Sequence, residues 1–219
     1  MKTFRKGRPV GGRTIGKSHQ AAMLKGRIFV ISGPSGSGKT TLAEALLKDT
    51  RLKRRLVRSV SFTTRPRRTG ERTGRDYFFI AEKEFRRNLA DKKILESTNY
   101  LGYYYGTPKS FVERQLKKAK GVLLCLDYNG ARRLKRLYPR HTVTIFVMPS
   151  SLETLGQRIR GRCNRTAKEE IQKRLLLARQ ELLRAKAYDY RLVNEELPVA
   201  IGELKTIVLA EMKKAKETT

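Results

Sequence analysis

Apolar residues fall along this chain in two alternating rhythms. Runs at 28–31 (Ile-Phe-Val-Ile), 122–126 (Val-Leu-Leu-Cys-Leu) and 142–147 (Thr-Val-Thr-Ile-Phe-Val) have the length and continuity of strands buried on both faces. Segments at 41–47, at 151–162 and from about Lys168 onward read as helices. Strand-like and helix-like segments alternate, which predicts an α/β fold with a mostly parallel sheet. No apolar run approaches the length needed to span a bilayer, so a soluble protein without membrane partners is expected. No internal repeat or low-complexity tract interrupts the pattern, and 219 residues suffice for one sizeable core, or one core with a small inserted lobe.

Between the first strand and the first helix lies GPSGSGKT, from Gly33 to Thr40, which fits the pattern G-x-x-x-x-G-K-[ST]. A strand therefore enters a glycine loop and a helix leaves it. Gly33, Gly36 and Gly38 permit positive φ and close approach of backbone to a ligand. The helix start supplies N–H groups and a dipole end suited to phosphate. Lys39 adds a cation for the β and γ oxygens of a nucleoside triphosphate, and Thr40 offers a hydroxyl to Mg²⁺ bridging those oxygens.

Composition narrows the chemistry further. The two cysteines, Cys125 and Cys163, form no metal or redox pair, so free thiols in a reducing compartment are expected. His19 and His141 are far apart, which argues against a zinc site or a histidine triad. The formal net charge of +30 exceeds what binding two small polyanions requires. Nucleic-acid contact is one reading of it. The charges are spread along the whole chain without an aromatic-interleaved module, so a general basic bias is favoured over a dedicated RNA-binding role. Residues 1–25 lack Asp and Glu and read as a flexible basic arm, or as sequence upstream of a true start at Met23; an organellar presequence is the minority reading.

A phosphate loop leaves the acceptor open, and the next cluster addresses it. Ser61, Arg65 and Arg68 put a hydroxyl and two guanidinium groups on one short segment, SFTTRPRRTGE, closing at Glu71. Planar forks of this kind bind a phosphate dianion bidentately. With Gly74-Arg-Asp76-Tyr77-Phe, Glu96, the run 102–107, Asp127 with Gly130-Ala131, Arg158 to Arg162, and Tyr188-Asp-Tyr190 before Val193-Asn194, the chain resembles the guanylate kinases. The resemblance runs from about Gly26 to the C-terminus, with the motifs in the family's order.

The resemblance implies a three-layer P-loop kinase fold: a parallel core at 26–60 and 113–219, an inserted mixed α/β GMP-binding lobe at 61–112, and a helical lid at 158–174. It implies that Gly33, Pro34, Ser35, Gly36, Ser37, Gly38, Lys39, Thr40, Thr41, Arg158 and Arg162 bind ATP with Mg²⁺. Ser61, Arg65, Arg68, Glu71, Tyr77 and Tyr105 then lie on the GMP phosphate side, and Glu96, Thr107 and Asp127 at the guanine. A carboxylate suits guanine because the base presents N1–H and N2–H₂ as adjacent donors, while a hydroxyl at Thr107 suits O6. Catalysis falls to Lys39, Arg65, Arg162 and Arg174. Departures from the family pattern are Cys125, where an acid is frequent, Tyr103 in place of asparagine, and a lid one residue longer with Asn164-Arg165 in its turn.

The implied reaction is direct in-line transfer of the ATP γ-phosphoryl group to GMP or dGMP. It needs no general base, because the attacking phosphate oxygen is already ionised. The rival readings are a guanylate-kinase-like binding module, disfavoured by the intact phosphate loop; a kinase for a ribose phosphate ester, disfavoured by Glu96, Tyr105 and Thr107; and an RNA-associated nucleotide switch, resting on charge alone. A cytoplasmic monomer or homodimer is expected, or an organellar matrix protein if the arm is a presequence.

Overall fold

The computed structural model of the protein describes residues 24–100, 102–161 and 168–217. The arm before Leu24, Arg162, Cys163 and the Asn164-Arg165 turn lie outside the described residues. The order of elements is β1 (Arg27–Ser32), α1 (Lys39–Lys48), β2 (Leu56–Arg58), β3 (Phe62–Thr63), β4 (Phe78–Phe79), α2 (Glu82–Ala90), β5 (Ile94–Tyr100), β6 (Tyr103–Pro108), α3 (Lys109–Lys117), β7 (Gly121–Cys125), α4 (Tyr128–Leu137), β8 (Thr142–Pro149), α5 (Leu152–Gly161), α6 (Lys168–Leu183), a 3₁₀ turn (Ala185–Ala187), β9 (Tyr190–Asn194) and α7 (Leu197–Glu217).

A five-stranded sheet in the order β2-β7-β1-β8-β9 forms the core, and its pairings are all parallel. The continuous apolar runs are explained by burial on both faces. Side chains alternate across a strand, so Phe29 and Ile31 of β1 join one cluster with Leu42 and Leu46 of α1 and Leu204 and Val208 of α7. Ile28 and Val30 point the other way, into a cluster with Val112 and Leu116 of α3 and Leu134 of α4. Complete burial of such a side chain stabilises by about 1.5–3 kcal/mol. No described helix is long and apolar enough to cross a membrane.

Residues 62–108 build a second, mixed sheet in the order β4-β3-β6-β5, covered by α2. Phe85 of α2 is buried and stacks on Tyr104 of β6, with ring centroids 5.4 Å apart. Gly106 makes room for it, since a Cβ there would lie 2.8 Å from Ile94 Cγ2 and 3.0 Å from Phe85 Cζ. The register between β5 and β6 shifts between Ile94 and Ser97, so that Leu95 and Glu96 together oppose Thr107. Such a bulge re-aims side chains: Leu95 packs in the core while Glu96 is buried against Thr107.

One polar knot ties β9 to β8. Asp189 accepts hydrogen bonds from Thr144 N (2.8 Å), Thr144 Oγ1 (2.9 Å) and Lys135 Nζ (2.7 Å). Burial works against its ionisation, but the bonds from Lys135 and Thr144 win and hold the carboxyl below its ordinary value. Asp189→Ala strands the Thr144 N–H and is expected to cost about 2 kcal/mol, read as a fall of about 5 °C in Tm. The depressed carboxyl contributes stability above the ordinary carboxylate range, and that contribution is lost as pH falls through its lower folded value. The gap between wild type and variant should therefore close on acidification in thermal melts.

Candidate active site

The phosphate loop stands between the C-terminal end of β1 and the start of α1, at the sheet edge where open α/β sheets bind ligands. Gly38, the residue before α1, has φ 93°, a left-handed conformation that a side chain would strain. A Cβ on Gly33, whose φ is 141°, would come within 2.3 Å of Val147 O. Lys39 Nζ donates to Gly33 O (2.5 Å) and Pro34 O (2.8 Å), folding its stem over the loop. Pro34, Gly36 and Ser37 are buried in the wall of the loop, Ser35 is half-buried, and Thr40 and Thr41 are exposed on the first turn of α1. The hydroxyl of Ser37 is buried and has no hydrogen-bond partner among the described residues. An orphaned hydroxyl beside loop N–H groups suits a polyanion that accepts from both.

The cluster that follows β2 is organised by Glu71. One of its carboxylate oxygens accepts from Arg65 Nη2 at 2.7 Å and the other from Arg68 N at 2.8 Å. Glu71 thus shapes the loop and aims Arg65, whose second fork nitrogen donates to Pro66 O. The hydrogen bond from Arg65 outweighs burial and holds the Glu71 carboxyl below its ordinary value. The Arg65 guanidinium lies 5.5 Å from the ring centre of Tyr77 and 5.8 Å from that of Phe79. Tyr105 meets Tyr77 edge-on at 5.7 Å. Arg65, Glu71, Tyr77 and Tyr105 therefore form one group, with Ser61 half-buried at the start of β3 and Arg68 exposed. Burial raises the Tyr77 phenol above its ordinary value, so it stays protonated as a donor.

At the other end of the second sheet Glu96 is 4 % exposed and accepts a hydrogen bond from the wholly buried Thr107 hydroxyl at 2.6 Å. Burial pushes the Glu96 carboxyl up to about 7; Asp127 adds to the shift, while Thr107 and Arg133 oppose it. Strand β7 ends at Cys125, one residue earlier than the apolar run at 122–126 suggests, because Asp127 serves as the N-cap of α4 and accepts from Gly130 N at 2.8 Å. Gly130 is needed for space. A Cβ there would sit 2.9 Å from Glu96 Oε2 and 3.3 Å from Asp127 Oδ1. Cys125 is a free, exposed cysteine at the sheet edge.

Of the lid arginines, Arg162 lies outside the described residues. Arg174 is half-buried on α6. Arg158, on α5, donates from both fork nitrogens to Asn194 O, at 3.2 and 3.3 Å. Three residues escaped assignment from sequence. Gly130 and Asn194, which closes β9, gave only a motif signal with no role attached. Glu181 of α6 sits in a helix of charged residues; burial raises its carboxyl, with Lys39 opposing and Asp127 adding to the shift.

The arrangement can hold one polyphosphate in a backbone cradle and a second phosphate under an arginine fork. A buried acid, Glu96, a hydroxyl, Thr107, and a second carboxylate, Asp127, lie together around Gly130. The Guanylate kinase family model matches residues 25–211. The guanylate kinase of Coxiella burnetii is 42% identical over 190 residues, covering 86% of this chain and 89% of its own length. That of Symbiobacterium thermophilum is 41% identical over 187 residues, covering 85% and 86%. The crystal structure of guanylate kinase from Anaplasma phagocytophilum superposes with a TM-score of 0.69 at 34% identity, covering 85% of this chain and 86% of that one. A phosphate loop, an arginine fork and a buried acid on one α/β frame, matched over that span, mean that the chain belongs to the guanylate kinase family.

Proposed function

We propose that the protein transfers the γ-phosphoryl group of ATP to GMP or dGMP, giving ADP and GDP or dGDP. The observation that carries this reading is Glu96, buried at a bulge with Thr107 and facing Asp127 across Gly130. An ionised Glu96 accepts from N1–H and N2–H₂ of guanine together. Adenine has no proton on N1 and no 2-amino group, so it leaves the acid unpaired in a buried site. Unpaired polar groups of that kind give discrimination on the order of ten-thousandfold.

The acceptor phosphate is placed under Arg65, with Ser61, Arg68, Tyr77 and Tyr105 around it, and the donor in the phosphate loop. Nothing has to remove a proton from the nucleophile, so the residues work by position and charge. Lys39 and the N–H groups at the start of α1 are assigned to the donor's phosphates, and Arg158, Arg162 and Arg174 to the same nucleotide from the lid. Closure of the acceptor lobe and lid excludes water and limits hydrolysis of ATP.

No cluster of three or more His, Cys, Asp or Glu side chains able to hold a metal occurs among the described residues. Mg²⁺ would arrive on the nucleotide, with the Thr40 hydroxyl as its protein ligand. When bound, the ion neutralises charge on the β and γ oxygens. Purine nucleotide metabolism in the cytoplasm, a monomeric or dimeric state and no dedicated nucleic-acid role complete the reading.

A coupled ADP-release assay with Mg²⁺ and ATP tests it against GMP, dGMP, AMP, CMP and UMP. Turnover is expected with GMP and dGMP, and kcat/KM with AMP on the order of ten-thousandfold lower. No turnover with any acceptor would move the protein to the binding-module reading.

A further inference from the structure

Asn194 closes β9, and its side chain is spent on the phosphate loop, 157 residues away in sequence. Its Nδ2 donates to Ser37 O at 2.8 Å, and the residue is 4 % exposed. Gly38 leaves the room, since a Cβ there would lie 2.2 Å from Asn194 Nδ2. From behind, the Arg158 guanidinium holds the Asn194 backbone carbonyl. A second bond sets the same turn, Ser37 N donating to Pro34 O at 3.1 Å.

The geometry of the peptide unit gives this contact a catalytic meaning. The Ser37 carbonyl and the Gly38 N–H belong to one planar trans peptide, so they point in opposite directions. Pinning the oxygen on Asn194 therefore aims the N–H away from β9 and into the loop's concavity. Glycine at position 38 would otherwise let that peptide flip, because its backbone takes either sign of φ with little cost. A flip would replace a donor by a carbonyl oxygen facing the donor's phosphates.

We propose that Asn194 is a positioning residue for phosphoryl transfer: by holding the Ser37 carbonyl it aims the Gly38 N–H at the phosphates of the bound triphosphate. This rests on the phosphate loop being the ATP site, the reading given above, and does not depend on which acceptor is used. Asn194 touches neither substrate in this role.

The test compares wild type with Asn194→Ala and with the isosteric Asn194→Asp, which keeps shape but replaces the donor with a carboxylate. Equilibrium titration with Mg²⁺ and ATP, without acceptor, should show affinity reduced by about ten- to a hundredfold in both, the size expected for one lost hydrogen bond to a charged group. The KM for GMP should stay within about twofold, since the second sheet is untouched. A purely structural role would lower the active fraction and Tm without separating the two substrates.

Asn194→Asp adds a pH signature. Protonated, its carboxyl donates to Ser37 O again, so its ATP affinity relative to wild type should recover as pH falls and the carboxyl takes up its proton. If Asn194→Ala does not fold, Asn194→Asp decides alone. ATP affinity within about threefold of wild type in the folded variants, or equal losses for ATP and GMP, overturns the proposal. Absence of GMP turnover together with the expected loss in ATP titration would sink the acceptor assignment and leave the role of Asn194 standing.

Discussion

Lys39→Ala is expected to lower kcat for GMP phosphorylation by about a hundred- to a thousandfold, with a smaller rise in the KM for ATP and no change in the KM for GMP. Lys39 Nζ lies over the loop, within 2.8 Å of Pro34 O, at the start of α1. Its charge is mobile enough to follow the γ-phosphoryl group as negative charge shifts onto the bridging oxygen. Removing a preorganised donor at developing charge costs this much in other phosphoryl and acyl transfers. Ground-state binding should suffer less, because loop N–H groups and the helix end remain. Lys39→Arg is a sharper probe, since the planar fork cannot fold back onto the same two carbonyls. Steady-state kinetics with each substrate varied separates these effects. A Lys39→Ala enzyme retaining more than about a tenth of wild-type kcat would make the residue a staple of the loop rather than a participant in transfer.

Glu96→Gln is expected to reduce kcat/KM for GMP by about a thousandfold or more while leaving ATP titration unchanged. Glutamine preserves shape and one acceptor for Thr107, but its amide places a donor where guanine also presents donors. The buried mismatch has no water to relieve it. The same residue sets a pH dependence. In the proposed role guanine pairs with the ionised acid, whereas burial raises its pKa to about 7. GMP binding must therefore release a proton below that value, and the KM for GMP should rise by about tenfold between pH 8 and pH 6.

The phosphate of GMP itself titrates near pH 6, so guanosine, which lacks it, is the control inhibitor and should show the same dependence. Stability runs in the opposite sense. A carboxyl with a raised folded pKa favours the native state below the unfolded value and loses that contribution as pH rises through about 7. Glu96→Gln should then melt above wild type at pH 8 and draw level or fall below it near pH 5. A flat profile for guanosine would remove Glu96 from base recognition.

Much of this site is legible in the chain because its chemistry is local. The glycines, Lys39 and Thr40 sit within eight consecutive residues, flanked by a strand and a helix whose periods are unmistakable. Arg65, Arg68 and Glu71 likewise act within one turn, bonded to one another across six residues or fewer. The strand at 142–147 reads correctly because its burial on both faces leaves a continuous apolar run. Asp127 is harder. An acid after an apolar run looks like the end of a strand, yet its hydrogen bond to Gly130 N makes it the start of a helix. Glu71 shows the same limit. The resemblance puts it on the GMP phosphate side, and the fold adds that both its oxygens bond within the loop.

By itself, then, the sequence determined that a glycine loop with Lys39 and Thr40 joins a strand to a helix, that Arg65, Arg68 and Glu71 share one short segment, and that parallel strands and helices alternate. These follow from backbone propensity and side-chain chemistry within a few residues. Tertiary structure decided what those groups can do. The bulge opposite Thr107 buries Glu96 and raises its pKa, and Gly130 admits its carboxylate beside that of Asp127. Asn194 comes from the far end of the chain to orient one peptide of the loop. Desolvation and hydrogen-bond direction depend on which distant segments close around a group, and only the packing of the two sheets and their helices sets that.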